Sequence, residues 1–476
     1  MVMMMMIPVS SAHVMDANVI NNVDLESYVN VLGGTDSRYD LSTGNTLPLI
    51  QVPWGFNSYS IQSDDDPTYK GWWFHPTDRR FFGLRVTHQP SPWIEDYGNF
   101  LISPSVLFDD VLASSSSLDD NHNKIKSSRR MVSNSNSLMQ FTGYSSKRSI
   151  FSPSYFKTFL YGYSTSKGNT ILEFSPTNHG GVLKVQFPEF DETIQSSQSR
   201  RIAIVLNGDS DYSSVQYKGL PDSPSTVMIS GYSKANSGGV GDDNSAFAHY
   251  FVAFVYLGPQ GNKPSTFTRS EATANGAFVD FDATNPLNNL LTVRFATSFI
   301  SIDQALVSLE QEVGLDKTFD DVRVEAKNKW QSVLGRIKIE EVSKDYSPAE
   351  ASNLYRTFYS CLYRASLFPR LLTETAADGS LVHWSPYASS QDTRVMPGHL
   401  SADSGFWDAY STVYPGLTLW NRPMLTNLLN GWINSYKEGK WLVKWASPGF
   451  RTGMGMIIIN YSHHSYTYCN LTLTIT

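Results

Sequence analysis

Between Val23 and Ile300 the apolar residues mostly alternate with polar ones or gather in short unbroken runs, and beyond Ile300 they recur every three or four positions. The first pattern is that of strands and the second that of amphipathic helices. Tyr155 to Tyr163, Val182 to Phe187, Arg201 to Leu206, Ala248 to Leu257 and Leu290 to Phe295 are predicted strands, parted by clusters of Gly, Pro, Asn and Ser. The run from Ala248 to Leu257 is aromatic and β-branched throughout, which predicts a strand packed between two layers. Many short strands with turn-rich joints predict a large β-sandwich. The Ser-, Asp- and Asn-rich stretch from Ser114 to Ser137 predicts a mobile surface loop.

In the helical half, Ser301 with Gln304 predicts a capping box opening a helix that carries Ala305, Leu306, Leu309 and Val313 on one face. A second helix is predicted after Asp320, burying Ala326, Trp330 and Val333 and linking the two domains. Ser347-Pro-Ala-Glu350 supplies a capping Ser, a Pro at the first helical position and a Glu three residues after the cap, so a third helix follows with Leu354, Phe358, Leu362 and Ala365 in its stripe. Met424, Leu425, Leu428, Leu429, Trp432, Ile433 and Tyr436 predict another, ending at Gly439. The expected organisation is a disordered or mispredicted start over 1–22, a sandwich domain over 23–300, linker helices over 301–346, the first part of a helical domain over 347–456 and a divergent tail over 457–476.

Composition narrows the partners. The chain of 476 residues has 37 Lys plus Arg against 44 Asp plus Glu, a net charge of -7 that argues against nucleic acid. No run approaches the ~20 apolar residues that span a bilayer, so a soluble chain without a membrane span is expected. Two cysteines, Cys361 and Cys469, make no disulfide framework. The start, Met1 to Ala12, has a short apolar run but lacks the positive region of a signal peptide. The 11 Trp, 25 Tyr and 26 Phe suit a protein that stacks sugar rings, as well as a large core.

Two clusters hold candidate chemistry. In the first, Asn30-Val-Leu-Gly-Gly34, Thr43 to Pro48 and Pro53-Trp-Gly-Phe56 precede Gly71-Trp-Trp-Phe-His-Pro76, Leu84-Arg-Val-Thr-His88 and Glu95-Asp-Tyr-Gly-Asn99. Glycine lets backbone amides approach a ligand, although the same residues serve any hairpin. A strand carrying His88 into a loop with Glu95 and Asp96 presents an imidazole and two carboxylates at a sandwich edge, or else a buried His beside a plain surface loop. The second cluster is Asp403-Ser-Gly-Phe-Trp407-Asp408-Ala-Tyr410 with Trp441-Leu-Val-Lys-Trp445. An aromatic face covers the C–H groups of a sugar while a carboxylate accepts its hydroxyl hydrogens; a helix cap followed by core residues is the competing explanation.

These clusters, in this order, resemble glycoside hydrolase family 92, the calcium-dependent exo-acting α-mannosidases. The likeness runs from about Val23 to Gly455 and is most specific in the Gly33 to Gly55 region, in Thr87-His88 with Asp96-Tyr-Gly98, and in Phe406-Trp-Asp408. Ser152-Pro-Ser-Tyr-Phe156 resembles the family's entry into a sandwich strand. The resemblance implies an N-terminal β-sandwich on an (α/α)6 barrel with the active site between them, inverting removal of terminal α-mannose from N-glycans or mannan, and a calcium ion. It implies that Trp407 and Asp408 help bind the terminal mannose, that His88 and Asp96 lie on the sandwich face of the pocket, and that Gly34 and Trp445 stand with them as substrate-binding residues. A secreted or endomembrane setting goes with the family.

The chain departs from that pattern too. Family members are longer, and the later part of their barrel carries the loop that supplies the general base and much of the calcium site; no such loop occurs in this sequence. Where many members place a general-acid Glu after the Trp matching Trp445, this chain has Ala446. No catalytic acid, base or metal ligand is therefore nominated. The expectation is a mannosidase cut about halfway through its barrel and inactive or impaired, with a non-catalytic carbohydrate-binding protein as the alternative. An open half-barrel is expected to expose the faces of Leu354, Phe358, Leu428 and Trp432.

Overall fold

The computed structural model describes residues 23–36, 46–63, 74–87, 100–108, 142–161, 168–190, 198–206, 213–220, 223–234, 247–257, 267–273, 276–284, 289–339, 345–388, 394–402 and 409–440. Two antiparallel sheets dominate them. The first has six strands in the spatial order β1 (Ser58–Gln62), β3 (Gly83–Thr87), β4 (Phe100–Phe108), β10 (Gln198–Leu206), β15 (Gly276–Asp282) and β14 (Phe267–Thr273). The second has eight, ordered β11 (Ser213–Leu220), β12 (Ser223–Ser233), β13 (His249–Leu257), β16 (Leu290–Ser298), β9 (Gly180–Gln186), β8 (Thr170–Pro176), β7 (Tyr155–Leu160) and β6 (Ile150–Ser152). A short ribbon pairs β2 (Arg80–Phe81) with β5 (Thr142–Gly143).

The expected sandwich is thus present, and the predicted strands sit within a few residues of the observed ones. Phe81, Ile102, Ile202, Val279 and Phe281 meet Phe174, Leu183, Phe251, Val255 and Phe295 in one core. β13 has an apolar run because its sheet is covered twice. Its second face packs under α1 (Ile302–Ser308), where Val252, Phe254 and Ala296 meet Ala305, Leu309 and Val313.

The helical half is built onto this sandwich rather than beside it. α2 (Phe319–Leu334) and α3 (Pro348–Ala365) bring Trp330, Leu334, Tyr359, Leu362 and Tyr363 into the same cluster as the inter-sheet residues. Trp330 is fully buried and its indole N–H donates to the Gln51 carbonyl at 2.6 Å. α2 is capped by Thr318, with Asp321 bonding back, and α3 by Ser347, with Glu350 bonding back. The Ser301 cap differs from its prediction: Ser301 accepts from the Gln304 N–H at 3.0 Å, but the Gln304 side chain turns away to donate to the Thr375 carbonyl at 2.8 Å. A tertiary acceptor there replaces the local one.

Beyond α3 the chain makes two small sheets, β17 (Arg370–Leu371) with β21 (Ser401–Ala402), and β18 (Glu374–Thr375) with β19 (Leu381–Trp384) and β20 (Val395–Pro397). α4 (Val413–Trp420) and α5 (Arg422–Gly439) follow, joined at Asn421, whose side chain caps α5. The expected (α/α)6 barrel is met only in part: among the described residues α3, α4 and α5 fall in the stretch where its start was expected. The expected exposure of their stripes is only partly met. Leu354 is 41% exposed, but Leu428 is completely buried, and Trp432 and Phe358 are half-buried. Trp432 packs edge-on against Tyr414 at 5.1 Å. The inward face of α3 is shifted as well, to Tyr359, Leu362 and Tyr363, because the tyrosines reach the sandwich core.

Candidate functional site

Of the six residues singled out for sugar binding, the described structure contains Gly34. His88, Asp96, Trp407, Asp408 and Trp445 lie outside the described residues, as do Cys469 and the Ser114 to Ser137 stretch. Gly34 closes a turn with φ +83°, in the left-handed region that suits glycine. The turn is held from the helical side. The Arg364 guanidinium, near the end of α3, donates to the carbonyls of Val31, Gly33 and Leu47 at 2.8, 2.9 and 3.0 Å. One rigid cation on a capped helix therefore fixes the glycine turn and the start of the next segment together.

The elements leading to the other candidates are described. β3 ends at Thr87, one residue before His88, and β21 ends at Ala402, ahead of the segment containing Trp407 and Asp408. α5 ends at Gly439, and Lys440 takes a left-handed conformation with φ 62°. A single strand ties the sandwich motif to the helical one. Leu371 of β17 donates its N–H to the Trp54 carbonyl at 3.1 Å, Trp54 donates to the Ser366 carbonyl at 2.8 Å, and the buried Arg370 guanidinium donates to the Phe56 carbonyl. On its other side β17 pairs with β21, Arg370 opposite Ala402 and Leu371 opposite Ser401. Pro53-Trp-Gly-Phe56 and the strand entering the Trp407-Asp408 segment are thus neighbours across two residues. Trp54 has φ 48° and stacks on Trp420 of α4 at 5.6 Å.

α5 holds β21 from behind. A Cβ on Gly431 would stand 3.0 Å from the Ser401 nitrogen, and Asn434 donates to the His399 carbonyl at 2.9 Å. Nearby, His383 is fully buried with Nδ1 at 2.9 Å from the Gly398 carbonyl and Nε2 at 3.2 Å from Glu438 Oε1. Ser385 donates to Glu438 Oε2 at 2.6 Å. Though Ser, His and Glu meet there, Ser385 donates to the carboxylate and not to the imidazole, so this is a fastening of α5 to the small sheet and not a nucleophile with its base.

A second buried cluster lies where the sandwich meets α1 and β18. His179, in the turn before β9, places Nδ1 2.5 Å from Glu312 Oε1, and its backbone N–H donates to Glu312 Oε2 at 2.8 Å. Glu374 of β18 accepts from the Phe299 N–H at 2.9 Å. Burial opposes the charge of Glu312, but the charge of His179 and its hydrogen bonds win and hold the carboxyl down at about 2. For His179, burial pulls the other way and Glu312 outweighs it, so its pKa lies above the usual value. Burial raises Glu374, with His179 as a partial counterweight, and burial together with repulsion from His179 pushes His249 down to about 3. These groups were not singled out in the sequence. The signal available was the Asn178-His-Gly-Gly turn between two predicted strands, where a His stands beside glycines that the strands need for close approach.

Two cavities border α2. One, of about 170 Å³, is lined by Glu312, Glu325, Lys317 and Lys329, and one, of about 680 Å³, by Pro53, Trp54, Asn328 and Ser332. Glu325 pairs with Lys317 at 2.8 Å and Glu312 with His179, so both carboxylates already have partners. Inverting glycoside hydrolysis needs two carboxyl groups about 6.5 to 9.5 Å apart with room for water and sugar between them. Glu312 and Glu325, the two carboxylates on the smaller cavity, are taken up by those ion pairs. Among the described residues no group of three or more His, Cys, Asp or Glu suits a metal ion, whereas calcium takes about six to eight oxygen ligands. The described residues therefore do not fit a calcium site.

The two halves match known proteins separately. Residues 28–298 match the glycosyl hydrolase family 92 N-terminal domain, and residues 304–457 match the glycosyl hydrolase family 92 catalytic domain. The chain belongs to glycosyl hydrolase family 92. Its structure is similar to that of a family 92 inverting mannosidase from Bacteroides thetaiotaomicron, with 30% identity and a TM-score of 0.67 over 90% of this chain and 50% of that one. It shares the fold of a family 92 α-mannosidase of the same organism, solved in complex with mannoimidazole, at 20% identity and a TM-score of 0.64 over 90% and 51% of the two chains. In sequence it is 30% identical over 96 residues, 20% of this chain and 12% of the other, to an uncharacterized secreted glycosidase of Arthroderma benhamiae. The chain spans about half the length of these solved relatives. Among the described residues no helix is long and apolar enough to cross a membrane.

Proposed function

We propose that this protein recognises a terminal α-linked mannose and belongs to the inverting, calcium-dependent α-mannosidase reaction of its family, acting on N-glycans or mannan outside the cytosol. The observation that carries the reading is the family match on both sides of Ile300, together with 30% identity to an inverting mannosidase. Two domains meeting at Ile300 are part of the proposal. So is the site: Trp407 and Asp408 grip the mannose ring, Gly34, His88 and Asp96 face it from the sandwich, and Trp445 contributes from beyond α5. A water attacking the anomeric carbon from the face opposite the leaving oxygen would invert its configuration, with one carboxylate taking the water's proton and one carboxylic acid protonating the leaving group. The two carboxyl groups and the calcium ligands belong outside the described residues.

Titration calorimetry with mannose on the wild type and on Asp408→Ala tests the site. Loss of binding with an unchanged melting temperature is expected, because a pocket carboxylate contributes little to folding. Unchanged affinity with a stability loss of about 0.5 to 2 kcal/mol would show that Asp408 is a helix cap instead.

A further inference from the structure

Beside Gly34 stands a pair of polar side chains from two distant segments. Asp36 follows Gly34 out of its turn, and His75 meets it from the stretch ahead of β2. His75 Nε2 lies 3.5 Å from Asp36 Oδ1, with the two side chains 30% and 82% exposed.

Both residues are held from beneath. Thr35 is buried and donates its N–H and its hydroxyl to the Leu32 carbonyl at 3.1 and 2.8 Å, so Asp36 leaves the turn from a fixed point. On the other side Phe74 is anchored in the sandwich core, and the His75 N–H donates to Asp78 Oδ2 at 3.0 Å. The hydroxyl of the buried Ser63 donates to the same oxygen at 2.6 Å. The ring is oriented as well. The Thr77 N–H donates to His75 Nδ1 at 3.3 Å, and the Thr77 hydroxyl lies 2.8 Å from it. A backbone N–H can only donate, so Nδ1 is an acceptor and the proton of the neutral ring sits on Nε2, toward Asp36.

An exposed pair of this kind adds little to stability, and 3.5 Å is longer than the ~2.7 to 3.2 Å of an ordinary N–H···O bond. Both groups therefore keep bonding capacity for a ligand: an oriented N–H that donates, beside a carboxylate with several lone pairs that accepts. A sugar hydroxyl does both at once, accepting from Nε2 and donating to Oδ1. The pair belongs to no metal-binding group of three or more His, Cys, Asp or Glu among the described residues. Exposure decides which sugar they meet. A site that acts on terminal sugars encloses the terminal unit and leaves the next one nearer solvent, where binding to a non-reacting part of the substrate helps the reacting end into place.

We propose that Asp36 and His75 are specificity-determining residues: they hydrogen-bond the sugar unit to which the terminal mannose is linked, so that the site favours a mannose-capped oligosaccharide over free mannose. This rests on the mannose-binding reading, in which Gly34 faces the terminal unit.

Titration calorimetry on wild type, Asp36→Asn and His75→Ala tests it, each protein with mannose and with S-linked α-1,2-mannobiose, which is not cleaved. Wild type should bind the disaccharide more tightly than mannose. In Asp36→Asn that preference should fall roughly tenfold, the lower end for losing a hydrogen bond to a charged group, with the melting temperature unchanged. His75→Ala should lower it a few-fold, as removal of a neutral donor does. Equal losses for the two sugars would reduce the pair to a brace for the Gly34 turn and overturn the proposal. An unchanged preference in Asp36→Asn would overturn it too, and that exposed position decides the matter if His75→Ala does not fold. So would a wild type that binds mannose and gains nothing from the second sugar. A wild type that binds neither sugar contradicts the mannose reading itself, an outcome distinct from these.

Discussion

The backbone N–H of Leu371 bonds to the carbonyl of Trp54 at 3.1 Å, so the strand after α3 begins on the loop that leads into the sandwich. The two halves share a hydrogen-bond ladder here and not merely an apolar face. Arg370 extends it by capping Phe56 from a fully buried position. Arg370→Ala should cost about 1 to 3 kcal/mol from the unpaired Phe56 carbonyl alone, before any packing loss. Denaturant unfolding monitored by tryptophan fluorescence measures it, and a change below 0.5 kcal/mol, roughly that of a neutral surface substitution, would show that the ladder carries no strength.

Glu26 makes an acid-favouring contribution of its own. Its carboxylate accepts from Ser152 at 3.1 Å and Ser154 at 2.8 Å, and burial pushes its pKa up to about 7. A raised carboxyl favours the folded state fully below its ordinary 4.5 and loses that contribution as pH rises toward 7. Wild type should therefore lose up to about 3 kcal/mol more than Glu26→Gln between pH 4.5 and 8. Parallel stability profiles for the two proteins would contradict this.

Much of this was legible in the sequence. Period two marked the sandwich, and Ser347-Pro-Ala-Glu350 gave both the start of α3 and its capping box, because those signals are local. The Glu26 contact was not. Ser152-Pro-Ser154 was legible as the entry to a strand, and the structure makes it a hairpin whose hydroxyls hold a carboxylate 126 and 128 positions earlier. Glu312 and Glu374 were silent for the same reason, each an ordinary polar residue in its own window; the glycines after His179 were a local signal for that residue alone, and only tertiary docking sets Glu312 against it. The shifted face of α3 has a related cause, since Tyr359 and Tyr363 are amphipathic and periodicity does not distinguish the side on which their rings are buried.

Close approach of strands predicts a further variant. A Cβ on Gly180 would stand 1.9 Å from the Phe295 carbonyl oxygen, against the backbone of the neighbouring strand β16. Gly180→Ala must therefore part β9 from β16 at the end where His179 sits, at a cost of about 1 to 3 kcal/mol or more. A thermal shift assay should show a clear fall in melting temperature, and an unchanged one would mean that the strands give way without loss.

The most direct measurement is proton NMR of the purified protein mixed with α-1,2-mannobiose. Binding should perturb the resonances of the terminal mannose, and whatever mannose is released, even by an impaired site, should appear first as the β-anomer, as inversion requires. An α-anomer appearing first would contradict the inverting reading, and unperturbed mannose resonances at millimolar protein would contradict the mannose site itself.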